Sequence, residues 1–315
     1  MTAKDQYRKF CTDTPELPLF FKDWYLDIVC FDGNWDVVTV EENGKIVAVL
    51  PYFLKKKGPF QLVTMPLMTK HIGPYLIPEK RQLKYSHVLF EQLISQLPKT
   101  DYFIQDFHPS IKNWLPFHWN AFKQTTRYTY VLDDLKNLEK VHEKFNRNIR
   151  RNIRKAEKNL KITDDFSIET FFDINKESFD RQGLSIFYTL DFLKKYDAVL
   201  AQRKARKIFF AVNEHGQIHA ASYLIWDQNR SYYHLAGESS KFRGNGASIL
   251  LTWEAIKFTK NELGLEIFDF EGSMLKPIEA IRRQFGAKQE PYFRVWKYQS
   301  MLFQVLNWVK GLKKG

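Results

Sequence analysis

The chain states one order of elements twice, and that repetition constrains its fold more than any single motif does. Residues 36–53 carry two β-rich runs, Asp36-Val37-Val38-Thr39-Val40 and Ile46-Val47-Ala48-Val49-Leu50, on either side of Asn43-Gly44, a hairpin signal. Residues 207–226 repeat the pattern: Ile208 through Val212, a turn at Glu214-His215-Gly216-Gln217, then Ile218 through Trp226. A third β-rich run follows each hairpin (Phe60 to Pro66; Ser231 to Leu235). After a loop comes a helical pattern, with Tyr85, Val88, Leu89, Leu93 and Leu97 in the first copy and Ile249, Leu250, Trp253, Ile256 and Phe258 in the second. Each copy then has a short strand ending in an acidic residue, in Asp101 to Phe107 and in Leu265 to Glu271. Each ends on a helix and a last β-rich stretch, around Tyr128-Thr129-Tyr130-Val131 and Phe293-Arg294-Val295-Trp296. The pattern predicts two α/β domains of one architecture.

The length of 315 residues, with 44% hydrophobic and 16% aromatic side chains, suffices for two packed cores and excludes global disorder. The 48 Lys and Arg against 36 Asp and Glu leave a net charge of +12, which favours anionic partners of any kind. Two cysteines, Cys11 and Cys30, suggest no disulfide framework. The start of the chain has no apolar leader, and no run reaches the roughly twenty apolar residues of a membrane span. These features lead us to expect a cytoplasmic protein, soluble or peripheral at the inner face of the membrane.

Between the copies, Lys140 to Lys161 holds nine Lys and Arg against Glu143 and Glu157. Phe145, Ile149, Ile153, Ala156 and Leu160 recur at helical spacing, and Arg147, Arg150, Arg151, Arg154 and Lys158 line another face. Like charges three and four residues apart repel, so such a cluster favours a bound anion over a merely solvated face. Asp180-Arg181-Gln182-Gly183 interrupts two further helices and is expected to line the same cleft. The C-terminal Met301, Leu302, Phe303, Val305, Leu306, Trp308, Val309 and Leu312 alternate with Lys310, Lys313 and Lys314. Two readings stay open there: a terminal helix packed on its domain, and a helix lying in a membrane interface.

The loop Lys241-Phe242-Arg243-Gly244-Asn245-Gly246-Ala247 stands between a strand and a helix in the second copy. Two glycines one residue apart permit a sharp bend and close backbone approach, and a helix start offers free N–H groups to a phosphate. In the first copy, Lys70-His71-Ile72-Gly73-Pro74-Tyr75 lacks the second glycine, so the phosphate-binding loop is expected in the second domain. No dinucleotide fingerprint, nucleotide loop, nucleophile elbow or metal-binding spacing is present, and His215 and His219 read as incidental to a hairpin turn.

That loop resembles the signature of the acetyltransferase superfamily known as GNAT, with Lys241 where that family has Arg or Gln. The duplication, together with Phe145 through Ala156, Phe268-Asp269-Phe270-Glu271-Gly272-Ser273 and Ile281 through Gly286, resembles the Fem-type aminoacyl transferases, which build peptidoglycan cross-bridges. The resemblance implies tandem GNAT-like domains, each a mixed, mostly antiparallel sheet flanked by helices. The expected segments are 1–134 (a degenerate copy), 135–162 (a basic connecting helix), 163–299 (the donor-binding copy) and 300–315 (an amphipathic basic helix). It implies a donor held by Lys241, Arg243, Gly244, Asn245, Gly246 and Ala247, either an acyl-CoA or an aminoacyl-tRNA. Arg282 stands where the Fem pattern has Lys, which keeps charge stabilisation and loses proton transfer.

Acyl transfer to an amine needs a base, a polarised carbonyl and a stabilised leaving group. Glu271 is the expected base or amine-orienting group. Asp269 is its candidate carboxylate partner, with one of the two acids alternatively capping the helix after Ser273. His234 is a second candidate base, or a histidine satisfied in the core. Arg282 is the candidate for oxyanion or phosphate charge, or a surface arginine. Arg150, Arg154, Lys155 and Arg181 are expected to hold an anionic acceptor such as a peptidoglycan precursor or a lipid-linked intermediate. The competing function is a non-catalytic GNAT-like protein whose basic helix binds RNA or acidic membrane, although only Phe145 among the residues from Lys140 to Lys161 offers a ring for base stacking.

Overall fold

The computed structural model describes residues 2–312, which divide into two units: Met1–Arg127 with Pro291–Gly315, and Tyr128–Glu290. In chain order the strands are β1 (Asn34–Glu42), β2 (Lys45–Lys57), β3 (Phe60–Thr64), β4 (Tyr75–Leu76), β5 (Tyr102–Asp106), β6 (Lys123–Leu132) and β7 (Lys161–Thr163). They continue with β8 (Arg206–Val212), β9 (Ile218–Trp226), β10 (Ser231–Glu238), β11 (Phe268–Asp269) and β12 (Lys288–Tyr298). Each unit is a mixed, mostly antiparallel α/β layer, as the duplicated pattern predicts.

In the first unit, Asn43 and Gly44 both take positive φ (52° and 72°), the geometry of a tight hairpin turn, and β1 pairs antiparallel with β2. β2 pairs with β3 and with the short β4, β3 runs parallel to β5, and β5 pairs antiparallel with Arg294–Tyr298 of β12. The helix Leu83–Ser95 buries Leu89, Phe90 and Leu93 in a core shared with Leu50, Phe103 and Val295. The loop of the first copy folds back on its own strand: the Ile72 N–H donates to the Asp106 carbonyl at 2.8 Å, and a Cβ on Gly73 would fall 2.5 Å from the Phe107 ring.

The second unit repeats this order. β7, β8, β9 and β10 pair antiparallel in sequence, β10 runs parallel to β11, and β11 pairs antiparallel with Val131 and Leu132 of β6. Its core holds Leu224, Tyr233, Leu250, Leu251, Ile256 and Phe268.

Two expectations about boundaries change. The stretch around Tyr128–Val131, expected to close the first copy, pairs inside the second unit, and Phe293–Trp296, expected to close the second, pairs inside the first. The exchange has a physical basis, because a β-rich pattern specifies which face of a strand is buried and leaves its partner open. The second change concerns residues 135–162, which are no free-standing connector. Helices Leu138–Glu143 and Arg147–Glu157 bury Val141, Phe145, Ile149, Ile153 and Ala156 in the core of the second unit. The C-terminal helix is Met301–Leu312, so Lys313 and Lys314 fall outside the described residues, as do the side chains of Lys310 and Leu312. Among the described residues no helix is long and apolar enough to cross a membrane.

Gly246 joins the basic helix to the loop. It caps the helix Ala247–Asn261 at φ 88°, and a Cβ there would lie 2.7 Å from the Asn152 carbonyl oxygen. Gly244 also has positive φ (75°), with open space around its missing Cβ. In urea denaturation, Gly246→Ala is therefore expected to lose about 2–4 kcal/mol, combining the left-handed penalty with overpacking. Gly244→Ala should lose only about 1–2 kcal/mol. Equal losses would mean that the helix and loop are not in close contact.

Candidate functional site

The geometry of the second unit turns on β10. It meets β11 at only two residue pairs, Ser231 with Phe268 and Tyr232 with Asp269. One residue after Tyr233 its register against β9 shifts, and His234 is the unmatched residue of that bulge. Beyond the bulge, β10 is held by the helix Ile168–Asp180. Asn175 Nδ2 donates to the Ala236 carbonyl at 2.7 Å, and Ser178 Oγ accepts from the Glu238 N–H at 2.8 Å. Arg181, expected at an acceptor cleft, instead donates from Nη1 to the Glu238 carbonyl at 3.1 Å.

Where β11 ends, Glu271 takes φ 52° and Gly272 follows at φ 24°. A left-handed conformation costs a non-glycine residue roughly 1–2 kcal/mol, so the surroundings must hold it. They do so through Asp269, whose Oδ1 accepts from the Glu271 N–H at 2.8 Å and from Thr129 Oγ1 at 2.5 Å, while Oδ2 faces Arg230 Nη1 at 3.3 Å. Close packing finishes the turn, since a Cβ on Gly272 would sit 2.1 Å from the Tyr128 carbonyl oxygen. Asp269 is wholly buried, which raises its pKa above the ordinary carboxylate value against the pull of Arg230. Its oxygens are engaged in positioning Glu271. Neither acid caps the following helix, whose N-cap residue is Leu275 and which has no side-chain cap.

The Glu271 side chain reaches back to β10, and its Oε1 lies 2.7 Å from His234 Nδ1. The other ring nitrogen, Nε2, lies 3.0 Å from the hydroxyl of Tyr196, a fully buried residue of the helix Leu190–Gln202. Exposure falls along this chain of groups. The Glu271 side chain is 11% exposed, His234 4%, and Tyr196 is fully enclosed. The carboxylate is thus the end that meets solvent, and the imidazole and phenol fix its orientation. Arg282, on the helix Lys276–Gln284, places its guanidinium carbon 5.2 Å from the Phe270 ring and 5.6 Å from the Tyr233 ring. Its Nε is buried without a partner among the described residues, and burial lowers its pKa against the attraction of Tyr233, Glu271 and Asp269. An arginine remains charged under such a shift, so this is a half-buried cation whose enclosed Nε has unused hydrogen-bonding capacity.

The second part of the site is the loop after β10. Ser240–Phe242 form a single 3₁₀ turn, followed by Gly244 and Gly246 at positive φ. Asn245 Oδ1 caps the Ala247 N–H at 3.0 Å. The N–H groups of Arg243, Gly244, Asn245, Gly246, Ser248 and Ile249 donate to nothing among the described residues. They surround a cavity of about 350 Å³ lined by Asn152, Glu238, Arg243, Gly244, Gly246, Ser248 and Ile249. Six free amides at the start of a fifteen-residue helix suit an anion. Arg243 Nε sits 3.6 Å from a Glu238 oxygen, a loose pair that an incoming phosphate can exchange. Lys241 is exposed, with its ammonium 5.1 Å from the Phe242 ring and away from the cavity lining.

Sequence reasoning missed His219. Its ring stacks on Phe242 at 4.1 Å and 2°, and its Nδ1 is hydrogen-bonded to Asn245 Nδ2, so it shapes the loop from β9. The available signal was its place in β9, the strand beside β10. Arg154 and Lys155 lie on the solvent side of the basic helix, Arg150 is half-buried with its Nε enclosed, and none of the three has an ion-pair partner among the described residues. Arg154 Nε reaches only the Arg150 carbonyl at 3.4 Å. The structure thus gathers Glu271, His234, Asp269 and Arg282 around one turn and Arg243 through Gly246 around one cavity.

Residues 143–294 match the family model described as an acetyltransferase (GNAT) domain. This segment is a GNAT acyltransferase domain. The whole chain shares its fold with FemX (14% identity, 93% of this chain and 96% of that one, TM-score 0.69). A tandem GNAT protein from the clavulanic acid biosynthesis pathway is also similar (10% identity, 93% and 94% covered, TM-score 0.54). So is L-PGS from Bacillus licheniformis (13% identity, 90% of each chain, TM-score 0.53). No curated protein sequence matches the chain.

Two predictions test the site. Tyr196→Phe removes the hydroxyl at His234 while keeping the ring, so the fold should survive with a melting temperature within a few degrees of the parent. Any acyl transfer measured should slow severalfold in kcat with little change in KM. The second concerns pH. Burial holds the His219 pKa below the ordinary histidine value, and its Nδ1 accepts from Asn245 only while unprotonated. The folded pKa lies below the unfolded one, so this contribution is complete above the unfolded value. It is lost as pH falls through the folded one. Hydrogen exchange at residues 242–247 should therefore accelerate on acidification below the ordinary histidine range. In His219→Phe, which keeps the stack, that pH step should disappear.

Proposed function

We propose that the second unit transfers an acyl group from a coenzyme A thioester to an amine, with Glu271 as the base. The observation that carries this reading is the Glu271–His234–Tyr196 chain, with its carboxylate at the solvent end, where β10 and β11 separate. The free amides of residues 243–246 and the adjoining cavity suit the phosphates of such a donor. The acceptor amine loses a proton to Glu271 as its nitrogen attacks the thioester carbonyl. Arg282, whose guanidinium carbon lies 5.2 Å from the ring of Phe270, the residue before Glu271, stabilises negative charge developing there. Collapse of the tetrahedral intermediate releases the thiol of the carrier, and the amide is the product.

The acceptor is proposed to be an anionic molecule of the cell envelope, such as a peptidoglycan precursor or a lipid-linked amine. Support comes from the basic helix, because none of the nine Lys and Arg between Lys140 and Lys161 forms an ion pair among the described residues. The same cations would also serve a protein that binds RNA without catalysis. A hydrogen-bonded chain ending on a strained glutamate has no role in such a protein, and this favours the transferase. The resemblance of Phe145 through Ala156 and Phe268 through Ser273 to the Fem-type aminoacyl transferases makes an aminoacyl-tRNA the alternative donor in the same test.

Thermal denaturation with saturating acetyl-CoA, a longer acyl-CoA or aminoacyl-tRNA distinguishes the donors. Saturation near one hundred times Kd stabilises by about 2.7 kcal/mol, a shift of several degrees. The acyl-CoA arm should show that shift, Arg243→Glu should abolish it, and Glu271→Gln should retain it while losing transfer. A shift with aminoacyl-tRNA alone would replace the thioester donor, and no shift with any donor would overturn the transferase reading.

A further inference from the structure

The C-terminal helix Met301–Leu312 is attached to the first unit by one apolar side chain. Phe303 is buried, with its ring 5.0 Å from Phe60, 5.6 Å from Tyr102 and 6.3 Å from Tyr298. Asn307 adds a hydrogen bond from Nδ2 to the Tyr298 hydroxyl at 2.8 Å. Among the described side chains the other large apolar ones face solvent: Met301 is 84% exposed and Trp308 67%, and Leu302, Val305, Leu306 and Val309 are exposed with them. A helix packed on its own domain buries its apolar stripe, and this one turns the stripe outward. An exposed patch of that kind marks a surface that something else covers.

The charge around the helix identifies the cover. From Pro291 to Gly315 there is no Asp or Glu, and with Arg294 paired to Asp106 the cations are Lys297, Lys310, Lys313 and Lys314. Phe60, which anchors Phe303, pairs across the β2–β3 hairpin with Lys57, and Gln61 pairs with Lys56. Both lysines are exposed and neither has an ion-pair partner among the described residues. Asp101 touches the residue before the helix through its carbonyl, which accepts the Ser300 N–H at 3.1 Å, and its carboxylate is engaged by the Gln61 N–H at 2.8 Å. A second copy of the chain would bring these cations against their own like. An anionic surface attracts them while it takes up the apolar stripe. Twelve helical residues span about 18 Å, too short to cross a bilayer and suited to lie in its interface.

We infer that Met301–Leu312 and the Lys56–Lys57 hairpin tip form an interfacial anchor for anionic bilayers. This inference is independent of the transferase reading. The test is co-sedimentation of the full chain with vesicles of phosphatidylcholine alone and of phosphatidylcholine with phosphatidylglycerol. Binding should be roughly tenfold tighter to the anionic vesicles. Val305→Asp with Val309→Asp should abolish it without altering the melting temperature, because both side chains are exposed in the folded unit. Lys56→Glu with Lys57→Glu should weaken it severalfold. Failure of the unmodified protein to bind anionic vesicles, or undiminished binding by the double aspartate variant, would overturn the inference. Concentration-dependent dimerisation without vesicle binding, seen in sedimentation velocity and lost in the aspartate variant, would assign the helix face to a second copy instead.

Discussion

The short contact between β10 and β11 is the constraint on which the site of the second unit depends. Two residue pairs join the strands, and then the bulge at His234 redirects β10. Had the ladder continued, the backbone groups past Tyr232 would have been consumed in pairing, and Glu271 would have extended a strand. The parting leaves two strand ends facing solvent, and helix Ile168–Asp180 supplies the hydrogen bonds that β11 does not. The bulge also turns His234 toward the Glu271 carboxylate. One local irregularity thereby creates both the opening and the orienting group within it.

Stability and chemistry trade against each other at this turn. Asp269 is buried at an electrostatic cost that Arg230 and Thr129 offset, and in return it fixes the amide of a glutamate in left-handed geometry. Arg282 keeps a half-buried charge over the Phe270 ring, with an enclosed and unused Nε. Such features weaken a fold when they stand alone, so their concentration at one turn fits a functional site. The first unit, built on the same order, uses the corresponding acid differently. There the loop at Ile72 and Gly73 lies on Asp106 and Phe107, and Asp106 is tied to Arg294 through both oxygens at 2.5 and 2.7 Å.

Much of this was legible in the sequence because it rests on local pattern. Hairpin turns, helical spacing and the paired glycines predicted the element order, the buried face of the basic helix and the start of the helix at Ala247. The exchanged closing strands were not legible, since partner choice between strands distant in sequence depends on tertiary packing. Glu271 and His234 were named separately, and their contact needs a bulge that no residue type announces. Asp269 looked like a second catalytic acid because it sits two residues from Glu271. Its burial against Thr129 and Arg230, residues 140 and 39 positions away, makes it a positioning residue instead. His219 read as incidental because stacking on Phe242 joins a strand to a loop more than twenty residues on.

The central claim is that the opening beside His234 and Glu271, together with the loop at 243–246, forms one acyl-donor site. A crystal structure with a non-hydrolysable acyl-CoA analogue tests it most directly. The account predicts pyrophosphate density against the amides of Gly244 through Gly246 and the analogue's carbonyl between β10 and β11 beside Glu271. An analogue bound elsewhere on the second unit, with the loop amides and Glu271 untouched, would contradict it.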